Sequence, residues 1–373
     1  MSKETRIARL REKLDEQELA GLFVSAPAED IHHTIGANRR YLSGFSGSMG
    51  HLLVTLDAAY IAVDFRYYEQ AERESPEYTL WQANGGMKKW LPELLAEAKL
   101  GGKKLGFESD GITYGTYSTL RDIVAEMPEA ERPQLVPTGG IVEALRAIKE
   151  PEELEALQRA VDLGDAAFKD VAARIEPGWT EKQVAWEIEK YARVHGAEGL
   201  SFPTIVAAGP WSAMPHAQPR DHVIEDGDGV VIDMGVNLDG YMSDLTRTVV
   251  VGKADDQFKK IYDIVLAAQL TAEELVRSGM TGGDAHNIAH KVIEEAGYGD
   301  SFGHGLGHGV GLQVHESPRV GGTSADVLQD GMVITVEPGI YVPGWGGIRI
   351  EDMGYLKDGK YVNFTTAPKL QFA

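Results

Sequence analysis

Short apolar runs alternate with helix-like patterns over the first part of the chain. Apolar residues at positions 7, 10, 14 and 19 recur at the spacing of one helix face, which predicts a surface helix over residues 3–20. Strands are predicted at 22–24, 51–56, 59–64 and 103–109, and further helices at 67–73, 87–100 and 113–127. This alternation predicts a small α/β domain, which we assign to residues 1–142.

The pattern changes after residue 142, where a charged stretch leads to Pro151, a residue type that favours the first turn of a helix. Beyond it the pattern predicts longer helices interleaved with hairpins, at 153–175, 181–195, 256–277 and 284–296. Thr180 precedes the second of these helices and Thr281 precedes the fourth, and each threonine can cap its helix. Residues 143–373 are therefore predicted to form an α+β domain with an internal pseudo-twofold duplication.

The composition narrows the class of protein. Of 373 residues, 43% are hydrophobic and 25% are charged, which is typical of a folded globular chain, and the length favours two domains. A net charge of −21 argues against a nucleic-acid or anionic-membrane partner. The chain has no cysteine, which excludes disulfides, thiolate metal sites and a cysteine nucleophile. No secretory leader or membrane-spanning run is recognisable, so a cytoplasmic protein is expected.

Two pairs of carboxylates in the last third of the chain flank glycine-containing turns. Asp233 and Asp244 are equidistant from a point between positions 238 and 239, and Glu337 and Glu351 are equidistant from Gly344. If each segment folds back about that point, the two acids of a pair face each other across a hairpin. Facing carboxylates without a cation repel one another and raise each other's pKa. Two such pairs predict a metal site.

Solvated turn residues or simple ion pairs are the alternatives to metal binding. Runs rich in β-branched residues come directly before Asp233, Glu337 and Glu351, which indicates that these carboxylates are partly buried and need partners. Arg247 and Arg349 could supply partners, but two arginines do not satisfy four acids and a histidine. Metal binding is therefore the favoured interpretation.

Three histidines, at positions 304, 308 and 315, lie in a glycine-rich segment. Glycines at every second position from 303 to 311 disfavour a helix and suit a strand packed closely against another backbone or a ligand. One histidine as a metal ligand and two as substrate contacts fits this pattern better than three ligands. His216 follows Pro215 in a loop, where a functional and a merely exposed side chain are equally compatible with the residues. We interpret the remaining loop and helix histidines as structural or surface residues: His32, His33, His51, His195 and His222.

Four carboxylates and one imidazole form a mostly oxygen-donor set, which suits Mn²⁺, Co²⁺, Zn²⁺ or Fe²⁺. Because carboxylates can bridge, five side chains are enough for two ions. Such a pair of ions binds a hydroxide at neutral pH and polarises a carbonyl group, so the predicted reaction is a hydrolysis. The chain has no phosphate-binding glycine loop and no Gly-x-Ser-x-Gly nucleophile in a suitable context.

Three segments resemble the sequence blocks of the pita-bread metallopeptidases, in family order, and more narrowly those of the proline-directed branch: DMGVNLDGYMSDLTRT, FGHGLGHGVGLQVHESPR and EPGIYVPGWGGIRIED. The resemblance extends over nearly the whole chain. It implies a pita-bread catalytic domain with a dinuclear centre, usually of Mn²⁺ or Co²⁺ with Zn²⁺ as an alternative. By this resemblance the five ligands are Asp233, Asp244, His308, Glu337 and Glu351.

The resemblance also implies roles for the residues around the ions. His216 and His315 would contact the substrate and stabilise the tetrahedral intermediate, and His304 would line the site. Glu337 would orient the hydroxide, and Arg349 would support the carboxylates. A further arginine, Arg319, would meet a substrate carboxylate or a neighbouring loop. The first domain resembles the creatinase-type N-terminal domain, which takes part in dimer contacts in relatives, so a homodimer is expected.

Within the proline-directed branch, YLSGFSGSMG and VDFRYYEQA resemble Xaa-Pro aminopeptidases more than prolidases. The expected activity is hydrolysis of the bond between an N-terminal residue and a following proline in short peptides, by attack of the hydroxide between the ions. A prolidase, restricted to Xaa-Pro dipeptides, is the alternative enzyme, and a creatinase-like amidinohydrolase is less favoured because it does not need the full ligand set. A pita-bread binding module without catalysis is the non-enzyme alternative. Trp211 stands where relatives commonly carry asparagine, so the residue preferred before proline stays open.

Overall fold

The apolar runs of the first part of the chain pair into one six-stranded sheet. The computed structural model describes residues 3–26 and 36–372 and divides into two units, Met1–Arg146 and Ala147–Ala373. The strands of the first unit are β1 (Gly21–Ala26), β2 (Gly50–Thr55), β3 (Ala59–Val63), β4 (Thr79–Gln82), β5 (Lys104–Glu108) and β6 (Gln134–Thr138). Its helices are α1 (Lys3–Glu16), α2 (Ala37–Ser43), α3 (Tyr68–Glu74), α4 (Met87–Glu97) and α5 (Tyr114–Glu126), and α6 (Ile141–Ala147) follows at its end.

The sheet of the first unit has the order β4-β3-β2-β1-β5-β6. Strand β2 runs antiparallel to β1 and β3, and the other neighbouring strands are parallel. Leucines of α4 and α5 share one buried core with Leu53 and Leu105 of the sheet. The predicted α/β domain is therefore confirmed. The predicted boundary between residues 142 and 143 falls inside α6, and its position stays a prediction. His32 and His33 lie outside the described residues.

Longer helices and shorter strands build the second unit. Its helices are α7 (Pro151–Ala172), α8 (Glu181–Val194), α9 (Asp256–Leu275) and α10 (Gly282–Glu295). Its strands are β7 (Gly199–Leu200), β8 (Ile205–Ala208), β9 (Gly229–Met234), β10 (Val236–Leu238), β11 (Tyr241–Met242), β12 (Leu245–Val250), β13 (Gly307–Gly309), β14 (Glu316–Val320), β15 (Val333–Val336), β16 (Gly339–Val342), β17 (Gly346–Arg349), β18 (Asp352–Lys357) and β19 (Lys360–Asn363). No described helix combines the length and the apolar character needed to cross a membrane.

One arrangement of elements occurs twice in the second unit. Two helices precede the strand order β12-β9-β8 in the first half and β18-β15-β13 in the second. Each half inserts a small hairpin between its central strand and the strand that returns to pair with it: β10–β11 between β9 and β12, and β16–β17 between β15 and β18. Thr180 caps α8 and bridges to Val223, and Thr281 caps α10 and bridges to Val327. The predicted duplication is confirmed in element order, strand pairing and helix caps.

The two carboxylate hairpins differ in how well their registers were predicted. In the second hairpin, Gly339 pairs with Arg349 and Val336 pairs with Asp352, which is symmetric about Gly344 as predicted. In the first hairpin, Asp233 pairs with Thr246, so the predicted pairing of Asp233 with Asp244 is wrong.

The first hairpin turns about Asp239 and Gly240, one position later than predicted. Leu238 pairs with Tyr241 across this two-residue turn, and both turn residues have positive φ, 54° and 80°. Asp-Gly suits such a turn because its twist matches that of the flanking strands. Asp244 therefore lies diagonally from Asp233 rather than directly opposite it.

Candidate metal centre

Four carboxylates of the second unit lie where strands meet the inserted hairpins. Asp233 is near the end of β9 and Asp244 comes directly before β12, whereas Glu337 directly follows β15 and Glu351 directly precedes β18. Each half of the duplicated unit thus supplies one acid at the end of a central strand and one at the start of the returning strand. The duplication explains why there are two pairs.

Glycines bring His308 to these carboxylates. A Cβ atom on Gly307 would lie 2.1 Å from Thr335 O, so only glycine lets β13 approach β15 this closely. His308 follows in β13, and its backbone N–H donates to Thr335 Oγ1 at 3.1 Å. The prediction of a closely packed strand in the glycine-rich segment is confirmed.

The five side chains converge in the described structure. Ligand atoms of Asp244, His308 and Glu351 lie within 4.8 Å of one another, which is close enough to share one ion. His308 Nε2 is 3.4 Å from Glu337 Oε1. Asp233 joins the group as an electrostatic neighbour that raises the pKa of Asp244.

The histidine presents a lone pair to the acids. His308 Nδ1 lies 3.1 Å from Gly309 O, a carbonyl that can only accept, so Nδ1 carries the proton and Nε2 does not. Burial, with His315 beside it, lowers the pKa of His308 to about 4, so the ring is neutral at physiological pH. An unprotonated nitrogen 3.6 Å from Asp244 Oδ2 is not a hydrogen-bond donor to it. This geometry suits a cation between the two groups.

The carboxylates have too few donors without a cation. Burial, and then Asp233 and Glu337, raises the pKa of Asp244 well above its usual range, and burial with the neighbouring acids does the same for Glu351. Burial raises the pKa of Glu337 to about 8. Asp233 Oδ1 and Glu351 Oε1 are buried without a hydrogen-bond partner among the described residues. Oxygen donors plus one neutral imidazole, with acceptor atoms left over, fit divalent metal ions.

The ion-pair alternative explains only one of the four acids. Arg349 Nη2 donates to Asp233 Oδ2 at 2.5 Å. Arg247 pairs instead with Asp352 at 2.6 Å and uses its remaining donors on backbone carbonyls, including that of Glu351. Asp244 and Glu337 have no arginine partner among the described residues, so arginine pairing does not replace a metal ion.

A hydrogen-bonded chain of three residues, Arg349, Tyr341 and His304, leads away from Asp233. Arg349 Nη1 donates to Tyr341 Oη at 2.7 Å, and Tyr341 Oη lies 2.9 Å from His304 Nε2. His304 Nδ1 is 2.8 Å from Gly305 O, so both ring nitrogens of His304 have partners within the protein. Burial, and then Arg349, lowers the pKa of His304 to about 4. His304 thus lines the site through Tyr341 and Arg349.

Two other predicted histidines lie near the centre. The ring of His315 is 4.3 Å from that of His308, centroid to centroid, and its side chain is exposed. His216 is exposed in the loop after β8, and a charge on it would lower the pKa of both His304 and His315. Arg349 Nη1 holds this loop through Pro215 O at 3.3 Å.

The structure places Arg319 differently from the other predicted residues. It lies on β14 opposite His308 in the register and is exposed. Its backbone N–H donates to Asp326 Oδ2, whereas its guanidinium has no partner among the described residues. The guanidinium of Arg319 is therefore available for a substrate contact.

Sequence reasoning missed three residues that complete the centre. Thr246 Oγ1 donates to Glu351 Oε2 at 2.7 Å and accepts from Arg349 Nε at 3.1 Å. Thr335 lies two residues before Glu337, and its Oγ1 is 3.4 Å from Glu337 Oε1. Tyr341 follows Glu337 by four residues in EPGIY. Thr246 and Thr335 each lie two residues from a predicted ligand, which was the available indication for them, whereas Tyr341 had none.

Comparison with known proteins gives matches along almost the whole chain. Two family models match: metallopeptidase family M24 over residues 155–358, and the creatinase/prolidase N-terminal domain over residues 6–148. An Xaa-Pro dipeptidase of Pyrococcus furiosus is 36% identical over 93% of this chain and 93% of its own length. The solved Xaa-Pro dipeptidase from Bacillus anthracis is 39% identical with a TM-score of 0.91, covering 99% of each chain. The solved X-Pro aminopeptidase from Thermotoga maritima is 32% identical with a TM-score of 0.86, covering 96% of this chain and 98% of its own.

Proposed function

The chain belongs to metallopeptidase family M24 and is a metal-dependent peptidase, and on that premise we propose that it is an Xaa-Pro dipeptidase, a prolidase. The observation that carries the proposal is the full-length likeness to Xaa-Pro dipeptidases in both sequence and structure. This reverses the order expected from the sequence, where the aminopeptidase came first and the prolidase was the alternative. The substrates are then dipeptides with proline at the second position.

The ions would be held by Asp233, Asp244, His308, Glu337 and Glu351. When bound, two divalent ions there would supply an activated water and polarise the scissile carbonyl. The protein's own residues do the rest. Glu337, which is partly buried and has its Oε1 3.4 Å from His308 Nε2, would take a proton from the attacking water. Arg349 and Thr246 keep Asp233 and Glu351 in place through the hydrogen bonds described above.

The exposed histidines act on the substrate. Partial burial of the ring lowers the pKa of His315, which favours the neutral imidazole, and this form can donate one N–H to the oxygen on which charge develops. His216 contributes a second donor from its loop. The unpaired guanidinium of Arg319 is available for the substrate carboxylate. Mn²⁺ as the ion, the homodimer and the cytoplasmic location stay predictions.

A panel of peptides tests the proposal. Xaa-Pro dipeptides and the matching three- to five-residue Xaa-Pro peptides are compared with the protein loaded with Mn²⁺, Co²⁺ or Zn²⁺. A dipeptidase should hydrolyse the dipeptide with a kcat/KM at least about tenfold above that of the longer peptides. Equal or faster cleavage of the longer peptides would overturn the proposal in favour of the aminopeptidase. The same dipeptides with alanine in place of proline serve as the control for proline selectivity.

The Xaa-Pro aminopeptidase is the second candidate. It is favoured by the likeness to the X-Pro aminopeptidase structure and by the segments YLSGFSGSMG and VDFRYYEQA. The binding-module alternative is less favoured because all five ligand residues are present and converge. The amidinohydrolase is less favoured because its reaction does not need these ligands. Absence of bound metal and of metal-stimulated peptidase activity would support the binding module.

A further inference from the structure

One buried carboxylate holds both ends of the loop that carries His216. Glu181, the first residue of α8, is 0% exposed. Its Oε1 accepts from Ala208 N at 3.0 Å and from Arg220 Nη2 at 2.7 Å. Its Oε2 accepts from Arg220 N at 2.8 Å and from Arg220 Nε at 3.0 Å. Ala208 directly precedes the loop 209–219 and Arg220 directly follows it, so both ends of this loop meet at one carboxylate.

The ring of Trp211 connects the two sides of the loop. The guanidinium carbon of Arg220 lies 4.1 Å from the ring centroid of Trp211, a cation–π contact. Trp211 Nε1 donates to Gln218 O at 3.3 Å, which joins the two sides of the loop. We call Glu181, Arg220 and Trp211 the clasp. His216 lies between the residues that the clasp ties together.

The opposite side of the loop rests on β17, the strand that leads to Arg349 and Glu351. Gly347 N donates to Ser212 Oγ at 2.8 Å, and a Cβ on Gly347 would lie 2.2 Å from Ser212 O. The loop therefore contacts the clasp on one side and β17 on the other.

The second half of the duplicated unit has no equivalent of Glu181. Gly282 occupies the same place: each residue follows the capping threonine and begins its helix, and each backbone N–H donates to the segment that bridges the threonine. A Cβ on Gly282 would lie 2.1 Å from Arg319 O, so the chain there packs directly against the helix. The shared architecture thus does not require a carboxylate at this place. The carboxylate at this place is therefore particular to the first half.

We propose that Glu181, Arg220 and Trp211 are positioning residues that set the place of His216 over the metal centre. The proposal rests on the proposed function, in which His216 contacts the substrate. The interaction of Glu181 with Arg220 is bidentate and charge-assisted, and it is buried at Glu181. Such an interaction restricts the geometry of the groups that it joins as well as stabilising them. A displacement of about 1 Å at a reacting group can lower the rate by about 10²-fold, so a loosened clasp lowers kcat without altering the metal ligands.

Glu181→Gln is the first test. It keeps the shape of the side chain but removes its charge, and Arg220, whose side chain is 36% exposed, can then turn to water. We expect kcat to fall about 10- to 100-fold, with a smaller change in KM and unchanged metal content. Glu187→Gln is the matched control, since Glu187 lies on the same helix and pairs with Arg174 at the surface. Its activity should equal that of the wild type.

A double-mutant cycle separates positioning from a general structural role. His216→Ala removes the group that the clasp is proposed to place. Adding Glu181→Gln to that variant should therefore lower kcat by less than about twofold. Losses that multiply in the double variant would overturn the proposal. Arg220→Lys keeps the charge but loses the bidentate geometry, so its kcat should lie between that of the wild type and that of Arg220→Gln. If Glu181→Gln does not fold, this Arg220 series and Trp211→Phe carry the same cycle.

Hydrogen exchange tests the clasp without reference to activity. In Glu181→Gln, amides of residues 209–219 should exchange faster, whereas those of β9 should not change. Unchanged exchange in the loop would overturn the clasp itself. If the wild-type protein does not cleave Xaa-Pro peptides, the proposed function fails, but the exchange result still decides whether the clasp holds the loop.

Discussion

A carboxylate stays charged in a protein interior only where donors or cations surround it, and two neighbouring residues show both cases. Burial alone would raise the pKa of Asp352, but Arg247 and Lys369, at 2.6 Å and 2.5 Å, hold it well below its usual range. Burial and neighbouring acids raise the pKa of Glu351 well above its usual range, although Glu351 precedes Asp352 directly. The protein's own cations therefore satisfy Asp352, whereas Glu351 needs a cation from outside.

Asp244→Asn tests this need directly. Without metal, the amide replaces a carboxyl that the folded chain must either protonate or keep charged beside Asp233 and Glu337, so the thermal midpoint of the chelated variant should equal or exceed that of the chelated wild type by a few degrees. With metal, the wild type should gain stability, and the variant should lose most of that gain together with its peptidase activity. Differential scanning calorimetry with and without Mn²⁺ measures both effects.

Asp239→Asn is the control for this substitution. Asp239 lies in the turn of the same hairpin, with a side chain that is 64% exposed and a positive φ that asparagine tolerates. Its metal-induced gain in stability should match that of the wild type. A full gain in Asp244→Asn as well would remove Asp244 from the ligand set.

Glu108 gives a pH dependence in the first unit. Burial raises its pKa from 4.5 to about 7; the hydrogen bond from Asn38 opposes the rise, and Glu143 adds to it. The folded chain therefore binds this proton more tightly than the unfolded chain, so stability falls as pH rises from about 4.5 to about 7 and levels off above that. Glu108→Gln should remove this decrease. Its thermal midpoint should fall less than that of the wild type between these pH values.

An exposed glutamate provides the comparison for this pH experiment. Glu126 lies at the end of α5 with a side chain that is 72% exposed. Glu126→Gln should leave the slope of stability against pH unchanged. A wild-type slope in Glu108→Gln would show that Glu108 titrates normally in the folded protein.

At the scale of elements, the sequence predicted what is local and periodic. The symmetry of Glu337 and Glu351 about Gly344 fixed the second hairpin, and alternate glycines predicted β13. The first hairpin was placed one residue early because the two acids were assumed to pair directly, whereas the Asp239-Gly240 turn sets the register. Contacts between distant residues were not predictable from spacing. Thr246 and Glu351 are 105 positions apart, and Glu181 and Arg220 are 39 apart.

Gly307→Ala tests the close packing of β13. The added Cβ would lie 2.1 Å from Thr335 O, a backbone atom in the adjacent strand, so β13 must move. We expect a loss of about 1–3 kcal/mol in stability, as for overpacked positions, and weaker metal binding because His308 moves with the strand. Urea unfolding and metal titration measure the two effects.

Gly303→Ala is the matched control within the same glycine-rich segment. A Cβ on Gly303 would meet nothing within 4 Å, and the residue is exposed without a positive φ. Its stability and metal affinity should stay close to those of the wild type. Equal losses in both variants would mean that the segment needs glycine for flexibility rather than for close approach.

At the scale of the whole molecule, the candidate metal centre takes its side chains from both halves of the second unit. Asp233 and Asp244 come from the first half, and His308, Glu337 and Glu351 come from the second. Arg349 reaches Asp233 across this division, and Thr246 reaches Glu351 in the opposite direction. Metal binding should therefore stabilise both halves together, whereas the first unit contributes none of the five ligands.

Hydrogen exchange on the whole chain tests this cooperative effect. Metal that binds only the folded state adds about 2.7 kcal/mol of stability at a concentration 100 times its Kd. Loading with Mn²⁺ should therefore slow exchange in β9 and β12 of the first half as much as in β15 and β18 of the second, while α5 of the first unit serves as the internal reference and should not change. Asp244→Asn should abolish the protection in both halves, although the substitution lies in only one. Protection confined to one half would mean that the two halves bind metal independently, which contradicts a shared centre.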